Sequence, residues 1–410
     1  MSLKAGSGLE ATVSEAVPAH IFEPGVRTDT RPKRDIQGIW EHLNERGSPG
    51  YDGVRALIND WYARIRQGKG KRDLFDKLVS KKSESWHAGF WELYLHESLS
   101  RAGYELEIEP DIAGSTRHPD FLVIGHGQEF YVEAAAVTED MTKAADRRTQ
   151  HIYQYLDPHP HPNFWLGLDI NDEGNSGPHL RRLLADVTKW FDGLDPDQTP
   201  YGSSIEWSDG DWNIDLIALP KSQASRGKIE PDRLIGMRSG GVGWSDMSDR
   251  IRQKVHSKAT RYGELGKPYL IALTVNSALV EEDDLASALL GPEVVEYYEQ
   301  QPGSARLVRK RDGLLMGPGG PRNTRVSGVL VAFNVACTHV GLVRPALWPN
   351  PWVRPEIAFT APLPFDRVEI DPSTSAMAHA TSDFDPLPYF DLAPDWPGFE
   401  DPLIGRRRIT

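Results

Sequence analysis

Residues 118–135 read HPDFLVIGHGQEFYVEAA, two strand-like runs joined by the turn GHGQ. The period-two alternation predicts a β-hairpin in which DFLVI pairs antiparallel with FYVEA. A tight hairpin of this kind brings Asp120, which opens the first strand, to the same end of the sheet as Glu133 in the second. Because an unpaired carboxylate is costly to bury in an apolar strand, Glu133 needs a specific reason to be there.

Two carboxylates that converge beside a backbone carbonyl predict a hard oxygen site suited to Mg²⁺ or Mn²⁺. The spacing alone leaves a second interpretation open. In that interpretation the strand lies at an edge, and Glu133 points into solvent or pairs with a nearby arginine.

The rest of the chain alternates helical and strand-like patterns, which predicts an α/β or α+β fold with one large mixed sheet. Helical periodicity and capping residues predict helices at 52–67, 70–80, 83–102, 139–156, 178–192, 247–265 and 283–290. Strands are predicted at 104–110, 120–124, 129–137, 163–170, 212–220, 267–275 and 326–335, with a last candidate at 341–348.

Composition narrows the function classes. The chain has 410 residues, 39% of them hydrophobic, which predicts a folded protein with a large core. No run is long enough for a membrane span, so we expect a cytoplasmic protein with no membrane partner. The single cysteine, Cys337, excludes an intramolecular disulfide framework and a multi-cysteine zinc site.

The net charge of −13 is far from the basic balance of a general nucleic-acid binder, so any polyanion site must be a local patch. Two basic clusters are candidates, at 64–72 with 81–82 and at 306–311 with 322–325. Arg322 and Arg325 could meet a phosphate backbone, although pairing with the many acids of this chain is the alternative. The histidines of HPHP at 159–162 lack a zinc-ligand spacing and favour a structural loop.

The element order is helix, strand, strand opening with Pro119-Asp120, turn, strand carrying Glu133, then helix. The helix before the sheet reads GFWELYLHESLSRAGY at 89–104. Together these features resemble the PD-(D/E)XK nuclease superfamily, whose restriction-endonuclease-like fold has an αβββαβ core. The resemblance covers roughly residues 83–170. It implies a Mg²⁺ or Mn²⁺ site held by Asp120 and Glu133.

In restriction-type members a glutamate of the first helix approaches the metal, which implies that role for Glu92. A helical wheel places Glu92 at the rim of a broad apolar arc, beside His96, and Glu97 inside the arc. Glu92 is therefore the first candidate and Glu97 the second. We interpret His96 as a helix-surface histidine.

The family pattern also expects a lysine two residues after Glu133, where this chain has Ala135. Three explanations are open. A lysine from elsewhere can reach the same space, the metal alone can activate the water, or the site no longer catalyses. Lys143 and Lys258 are the candidates for replacement, and the same helices also offer Gln150 and Lys254.

The predicted organisation is a flexible segment at 1–35, helices plus a nuclease-like core at 36–170, an α/β extension of the same sheet at 171–364, and an acidic, Pro-rich tail at 365–410. The expected function is metal-dependent phosphodiester hydrolysis of nucleic acid, with DNA favoured. Restriction, phage defence or repair in a bacterial cytoplasm would be the setting. The alternative is a catalytically inactive module on the same fold that binds protein or nucleic acid. A partner protein or a homodimer is left open.

Overall fold

The structure is a computed structural model. It describes residues 17–30, 37–112, 114–138, 148, 151–152, 155–200, 202–221, 226–227, 234–239, 247–277, 280, 282–296 and 306–398. In this part of the chain no helix is long and apolar enough to cross a membrane.

Eight α-helices lie in the described ranges: α1 (Ile39–Glu45), α2 (Pro49–Ala63), α3 (Lys69–Leu78), α4 (Ser83–Arg101), α5 (Leu180–Asp192), α6 (Met247–Ala259), α7 (Glu282–Leu290) and α8 (Pro386–Tyr389). The strands are β1 (Glu105–Ile108), β2 (Phe121–Gly125), β3 (Gln128–Thr138), β4 (Phe164–Asp172), β5 (Ser203–Asp209), β6 (Trp212–Pro220), β7 (Ile235–Ser239), β8 (Tyr269–Asn276), β9 (Glu293–Glu296), β10 (Arg306–Arg309), β11 (Met316–Gly317), β12 (Gly320–Pro321), β13 (Gly328–Phe333), β14 (Ala346–Pro349), β15 (Asp366–Ile370) and β16 (Met377–Ala380).

The main sheet has eight strands in the order β1-β2-β3-β8-β13-β14-β15-β16. Strands β3, β8 and β13 run parallel to one another, β2 is antiparallel to both of its neighbours, and β14 is antiparallel to β13 but parallel to β15. The prediction of a mixed α/β protein built on a large mixed sheet is therefore confirmed. Between β3 and β8 the chain forms β4, α5, β5, β6, β7 and then α6, which packs on β3 and β8.

The predicted hairpin forms, and its turn fixes the register. His126 and Gly127, the two turn residues, both have positive φ angles, of 49° and 77°. This pair is typical of the type I′ turn, whose twist matches that of antiparallel strands. Phe121 then pairs with Val132, so the residue before β2 stands opposite Glu133.

Strand β3 is buried on both faces of the sheet. Val132 and Ala134 pack in the core beneath α4, while Tyr131 and Ala135 pack in the core that α6 and α7 complete. The indole N–H of Trp91 donates to the carbonyl oxygen of Ala272 at 2.9 Å and ties α4 to the sheet. Because β3 is central, the carboxylate of Glu133 cannot reach solvent as it would at an edge.

The strand predicted at 163–170 forms, but it does not join the main sheet. It is β4 in a separate four-stranded sheet ordered β5-β6-β4-β7, whose core includes α5. Of the strands in the predicted extension, β5–β7 join β4 in this second sheet, whereas β8, β13 and β14 lie in the main sheet. Alternation shows that a strand has a buried face, but it does not identify the strand's partner. The domain division at residue 170 stays a prediction.

Both terminal segments contain packed residues, which corrects the sequence-based interpretation. Within 1–35, the described residues 17–30 carry the buried Ile21 and Phe22, whose backbone N–H groups donate to Asn59 Oδ1. Within the acidic tail, β15 and β16 complete the main sheet. Phe390 packs against Trp61 with ring centroids 5.0 Å apart. A few large apolar residues anchor these Pro-rich stretches. They do not recur at helical or strand spacing, so the sequence pattern does not reveal them.

Candidate functional site

Asp120 and Glu133 come together as the hairpin predicts. Asp120 Oδ2 accepts a hydrogen bond from the backbone N–H of Ala134 at 2.6 Å, which holds its carboxylate against β3. In the described part of the chain Oδ1 of Asp120 has no hydrogen-bond partner. The loop before β2 thus presents one free carboxylate oxygen at the strand end.

Glu133 is buried, with 1% of its side chain exposed, and both of its carboxylate oxygens have charged or hydrogen-bonding partners. Its Oε1 lies 2.5 Å from Lys258 Nζ and 2.8 Å from Arg261 Nη1. Its Oε2 lies 2.7 Å from the hydroxyl of Tyr262, which is also 2.6 Å from the carbonyl oxygen of His118. A buried carboxylate is tolerated when it is paired and hydrogen-bonded in this way.

Tyr262 acts as a donor in this cluster. Burial and the nearby charge of Glu133 raise the pKa of the Tyr262 hydroxyl, so it stays protonated at neutral pH. Its single proton serves either Glu133 or the His118 carbonyl at any moment. The hydroxyl thereby links the loop before β2 to the carboxylate of β3.

Lys258 reaches Glu133 from α6, whereas the lysine of the pattern that the sequence resembles would stand at Ala135 on β3. Ala135 lies in the same core as Val255 and Ala259 of α6, and its methyl group leaves that face of β3 open to the helix. The sequence candidate Lys258 is therefore brought to Glu133. Lys254, one turn earlier, lies instead 3.5 Å from Glu84 at the start of α4. Lys143 and Gln150 lie outside the described residues.

Glu92 faces a second lysine that sequence reasoning missed. Lys77 Nζ of α3 lies 2.8 and 2.9 Å from the two carboxylate oxygens of Glu92 and 2.7 Å from Asp73. Burial raises the pKa of Glu92, and the charge of Lys77 offsets part of that shift. Burial alone would lower the pKa of Lys77, but its two acidic partners outweigh burial and raise it.

Asp120 is the electrostatic link between these two clusters. Burial, followed by the negative charges of Glu92 and Glu133, raises the pKa of Asp120 well above its ordinary value. Lys258 and Lys77 act in the opposite direction and only partly compensate. Glu92 of α4, Asp120 of the loop before β2 and Glu133 of β3 therefore form one region of negative potential. Lys77 is paired with Glu92 and Lys258 with Glu133. Such crowding of carboxylates is typical of functional sites.

The second candidate from α4 is wrong. Glu97 does not face the strand ends; it pairs with Arg64 of α2 and with Arg101, the latter at 2.5 Å. Helix α4 is buried on nearly all sides, because the sheet covers one face and α2 with the C-terminal segment covers another. A wheel with so broad an apolar arc cannot show which side meets the sheet.

A cleft opens beside Asp120 between α3, α4 and the ends of β1 and β2. It is lined by Ile65, Gly70, Asp73, Leu74, Lys77, Glu92, His96, Ile108, Glu109, Asp120 and Phe121. His96 is 8% exposed, which corrects its interpretation as a surface histidine. Burial lowers the pKa of His96 to about 4, so the ring is neutral.

The carboxylates of the site have the right chemistry for the Mg²⁺ or Mn²⁺ ion expected from the sequence, but they are not arranged around an ion position. Carboxylate oxygens are what Mg²⁺ and Mn²⁺ prefer, and Asp120 keeps one oxygen free. As they stand in the described ranges, however, no three His, Cys, Asp or Glu side chains are arranged to hold an ion. Glu92 and Glu133 would each have to exchange a lysine contact for a metal contact.

The HPHP histidines and the first basic cluster have protein partners. His161 lies 3.3 Å from Asp192 and its ring is tilted against that of Phe164, and a ring nitrogen of His159 is 3.0 Å from the carbonyl oxygen of Tyr155. The first basic cluster is largely neutralised: Arg66 pairs with an acid of β1. Its other ion-paired members are Arg64, Lys69, Arg72 and Lys81.

The comparisons with known proteins add no relative. No protein-family model, no curated protein and no solved structure matches this chain. Functional inference therefore rests on the geometry of the site.

Proposed function

We propose that the protein is a metal-dependent phosphodiester hydrolase that acts on nucleic acid, with DNA the favoured substrate. The observation that carries this proposal is the meeting of Glu92, Asp120 and Glu133 around one strand end, with Lys258 at 2.5 Å from Glu133. If α4, β1–β3, α6 and β8 correspond to the αβββαβ core that the sequence resembles, α5 and β4–β7 are an insertion between β3 and α6. Restriction, defence or repair is the corresponding setting.

In this proposal Asp120, with Glu92 and Glu133, holds a Mg²⁺ or Mn²⁺ ion. When bound, the ion supplies Lewis acidity and a template for the attacking water. Lys258 supplies the positive charge that Ala135 lacks, and Arg261 helps to fix Glu133 in place. Burial and the negative charges of Glu92 and Glu133 raise the pKa of Asp120, and a cation bound beside these acids would offset that repulsion.

The test is cleavage of plasmid, single-stranded DNA and RNA with Mn²⁺ or Mg²⁺. We expect metal-dependent cutting by the wild type and its loss in Asp120→Asn and Glu133→Gln. The control Glu369→Gln changes an exposed acid on β15 and should cut normally. Cutting that survives in both site variants, or equal cutting in EDTA, would refute the proposal.

One observation favours a second candidate, a catalytically inactive module that binds nucleic acid or protein. Glu133 already has Lys258, Arg261 and Tyr262 as partners, so its charge is balanced without a metal. Under this alternative the wild type cuts none of the three substrates, and calorimetry detects no Mn²⁺ binding that depends on Asp120.

A further inference from the structure

A second cleft lies on the other side of the Glu133 cluster, at the C-terminal end of α6. Its polar lining includes Tyr262, Glu264, Lys267, Arg325, Arg354 and Glu356. Tyr262 belongs to both places, because its ring lines this cleft while its hydroxyl lies 2.7 Å from Glu133 Oε2. A ligand in the cleft would therefore lie one side chain away from the candidate site.

Basic side chains surround this end of α6, and we call Arg117, Arg261, Lys267, Arg325 and Arg354 the α6 rim. Three of them have acidic partners. Arg261 shares Glu133, Lys267 lies 3.2 Å from Glu129, and Arg354 lies 2.9 Å from Glu264.

The other two members, Arg117 and Arg325, have no carboxylate partner among the described residues. Arg117 Nη1 donates to the carbonyl oxygen of Arg261 at 3.2 Å, and Arg325 Nε donates to that of Ala259 at 3.1 Å. Each guanidinium keeps further N–H groups for a ligand, since arginine carries five. Arg325 lines the cleft and Arg117 is held near it by the Arg261 carbonyl, so the positive charge of both lies at this end of α6 without an ion pair among the described residues.

We propose that Arg117 and Arg325 bind backbone phosphates of a nucleic-acid strand that passes over the C-terminal end of α6. The inference rests on the proposed function, because it assigns the path by which that substrate reaches Glu133 and Asp120. Guanidinium groups bind phosphate oxygens through paired N–H donors, which suits this role. Glu264 and Glu356 in the same cleft oppose a phosphate there, so the strand follows the rim.

A purely structural role predicts something different. Both arginines donate to carbonyls at the end of α6, and such contacts stabilise a helix C-terminus. If capping were their whole purpose, neutral variants would unfold more easily but would bind nucleic acid as the wild type does. The experiment therefore reads binding and its salt dependence, with thermal melting in parallel.

The probe is a fluorescently labelled 20-nucleotide DNA, single-stranded and duplex, titrated in EDTA at several KCl concentrations. We expect Arg117→Gln/Arg325→Gln to bind at least about tenfold more weakly. We also expect the slope of log K against log salt to fall by about 1.4 for single strands and about 1.8 for duplex, as two lost phosphate contacts require. The matched control is Arg181→Gln, an exposed arginine on α5 without a described partner.

Two further variants keep the test decisive if the double variant folds poorly. Arg117 is exposed, so Arg117→Gln alone should fold. Its slope of log K against log salt should fall by about half as much as in the double variant. Arg325→Lys keeps the charge and should retain most of the affinity. Unchanged affinity and slope in the arginine variants, equal loss in Arg181→Gln, or no binding by the wild type would each overturn the inference.

The outcome is separable from that of the proposed hydrolysis. Binding that depends on both arginines, without cleavage in Mn²⁺, would reject the hydrolase and keep the phosphate path. Cleavage that depends on Asp120, with binding indifferent to both arginines, would reject the path and keep the hydrolase.

Discussion

Glu92 and Glu97 lie five residues apart on α4, and both are carboxylates buried beside cations. Glu97 joins Arg64 and Arg101, and the other acids on those arginines, Asp60 and Asp391, are mostly exposed. Glu92 instead lies near Asp120, and it shares Lys77 with Asp73, whose side chain is 47% exposed. A buried ion pair alone is therefore not evidence of a site. What distinguishes Glu92 is that it lies near Asp120 and Glu133, and that Asp120 has no ion-pair partner among the described residues.

The sharpest test of this comparison is the same substitution at both positions. In Glu92→Gln we expect metal-dependent cleavage to fall by about 100-fold or more, as for loss of a metal-site group. Its melting temperature should change little, because the raised pKa of Glu92 means that its charge is disfavoured in the folded state at neutral pH. Cleavage kinetics and thermal melting of the same preparation provide both values.

Glu97→Gln should show the reverse pattern. Removing this charge leaves Arg64 and Arg101 without their shared buried partner, so the free energy of unfolding should fall by about 3 kcal/mol. Cleavage by the folded variant should stay within about threefold of wild type. Urea denaturation measures the first effect, and a variant that is stable but inactive would contradict the assignment of Glu97 to structure.

The contrast also shows what the sequence could and could not predict. The hairpin and the pairing of Asp120 with Glu133 follow from period-two alternation and the two-residue turn, which are local. Lys258 was a candidate because it lies on a predicted helix, and Arg261 and Tyr262 follow it at i+3 and i+4. That spacing was an available clue to the rest of the cluster.

Other features depend on contacts distant in sequence. Lys77 reaches Glu92 only because α3 packs beside α4, and nothing in KGKRDLFDKL marks it. Glu97 was misplaced because α4 is apolar on nearly every side. The alternating pattern of β4 predicts a strand but does not indicate which sheet the strand joins. The short strands β11 and β12 lie among glycines and prolines, which favour loops over strands.

A second pair of residues tests the same comparison on α6. Lys258→Met should lower the free energy of unfolding by about 2 kcal/mol, less than the roughly 3–5 kcal/mol of a fully broken buried pair, because Arg261 and Tyr262 still hold Glu133. Cleavage should fall by about 10- to 100-fold. Lys254→Met removes only a long, partly exposed contact to Glu84 and should cost under about 1 kcal/mol.

Lys258→Arg separates charge from shape in that test. It should restore most of the stability, but it should restore cleavage poorly, because a planar guanidinium does not replace a compact ammonium. Equal stability losses in Lys258→Met and Lys254→Met would mean that the contact with Glu133 has no special weight.

The smallest expected effect concerns Asp120, and its direction is the informative part. A carboxyl whose pKa is raised in the folded state favours folding below its unfolded pKa, and that contribution is lost as the pH rises through the folded pKa. Asn keeps an oxygen to accept the Ala134 N–H but carries no charge. Asp120→Asn should therefore melt about 1–3 °C above wild type at pH 7 and level with it near pH 4, while its cleavage is lost. Melting curves at half-unit steps from pH 4 to 7.5 measure the gap. A gap that widens towards pH 4 would mean that Asp120 is stabilised as a carboxylate, and the crowding of acids that separates Glu92 from Glu97 would not hold.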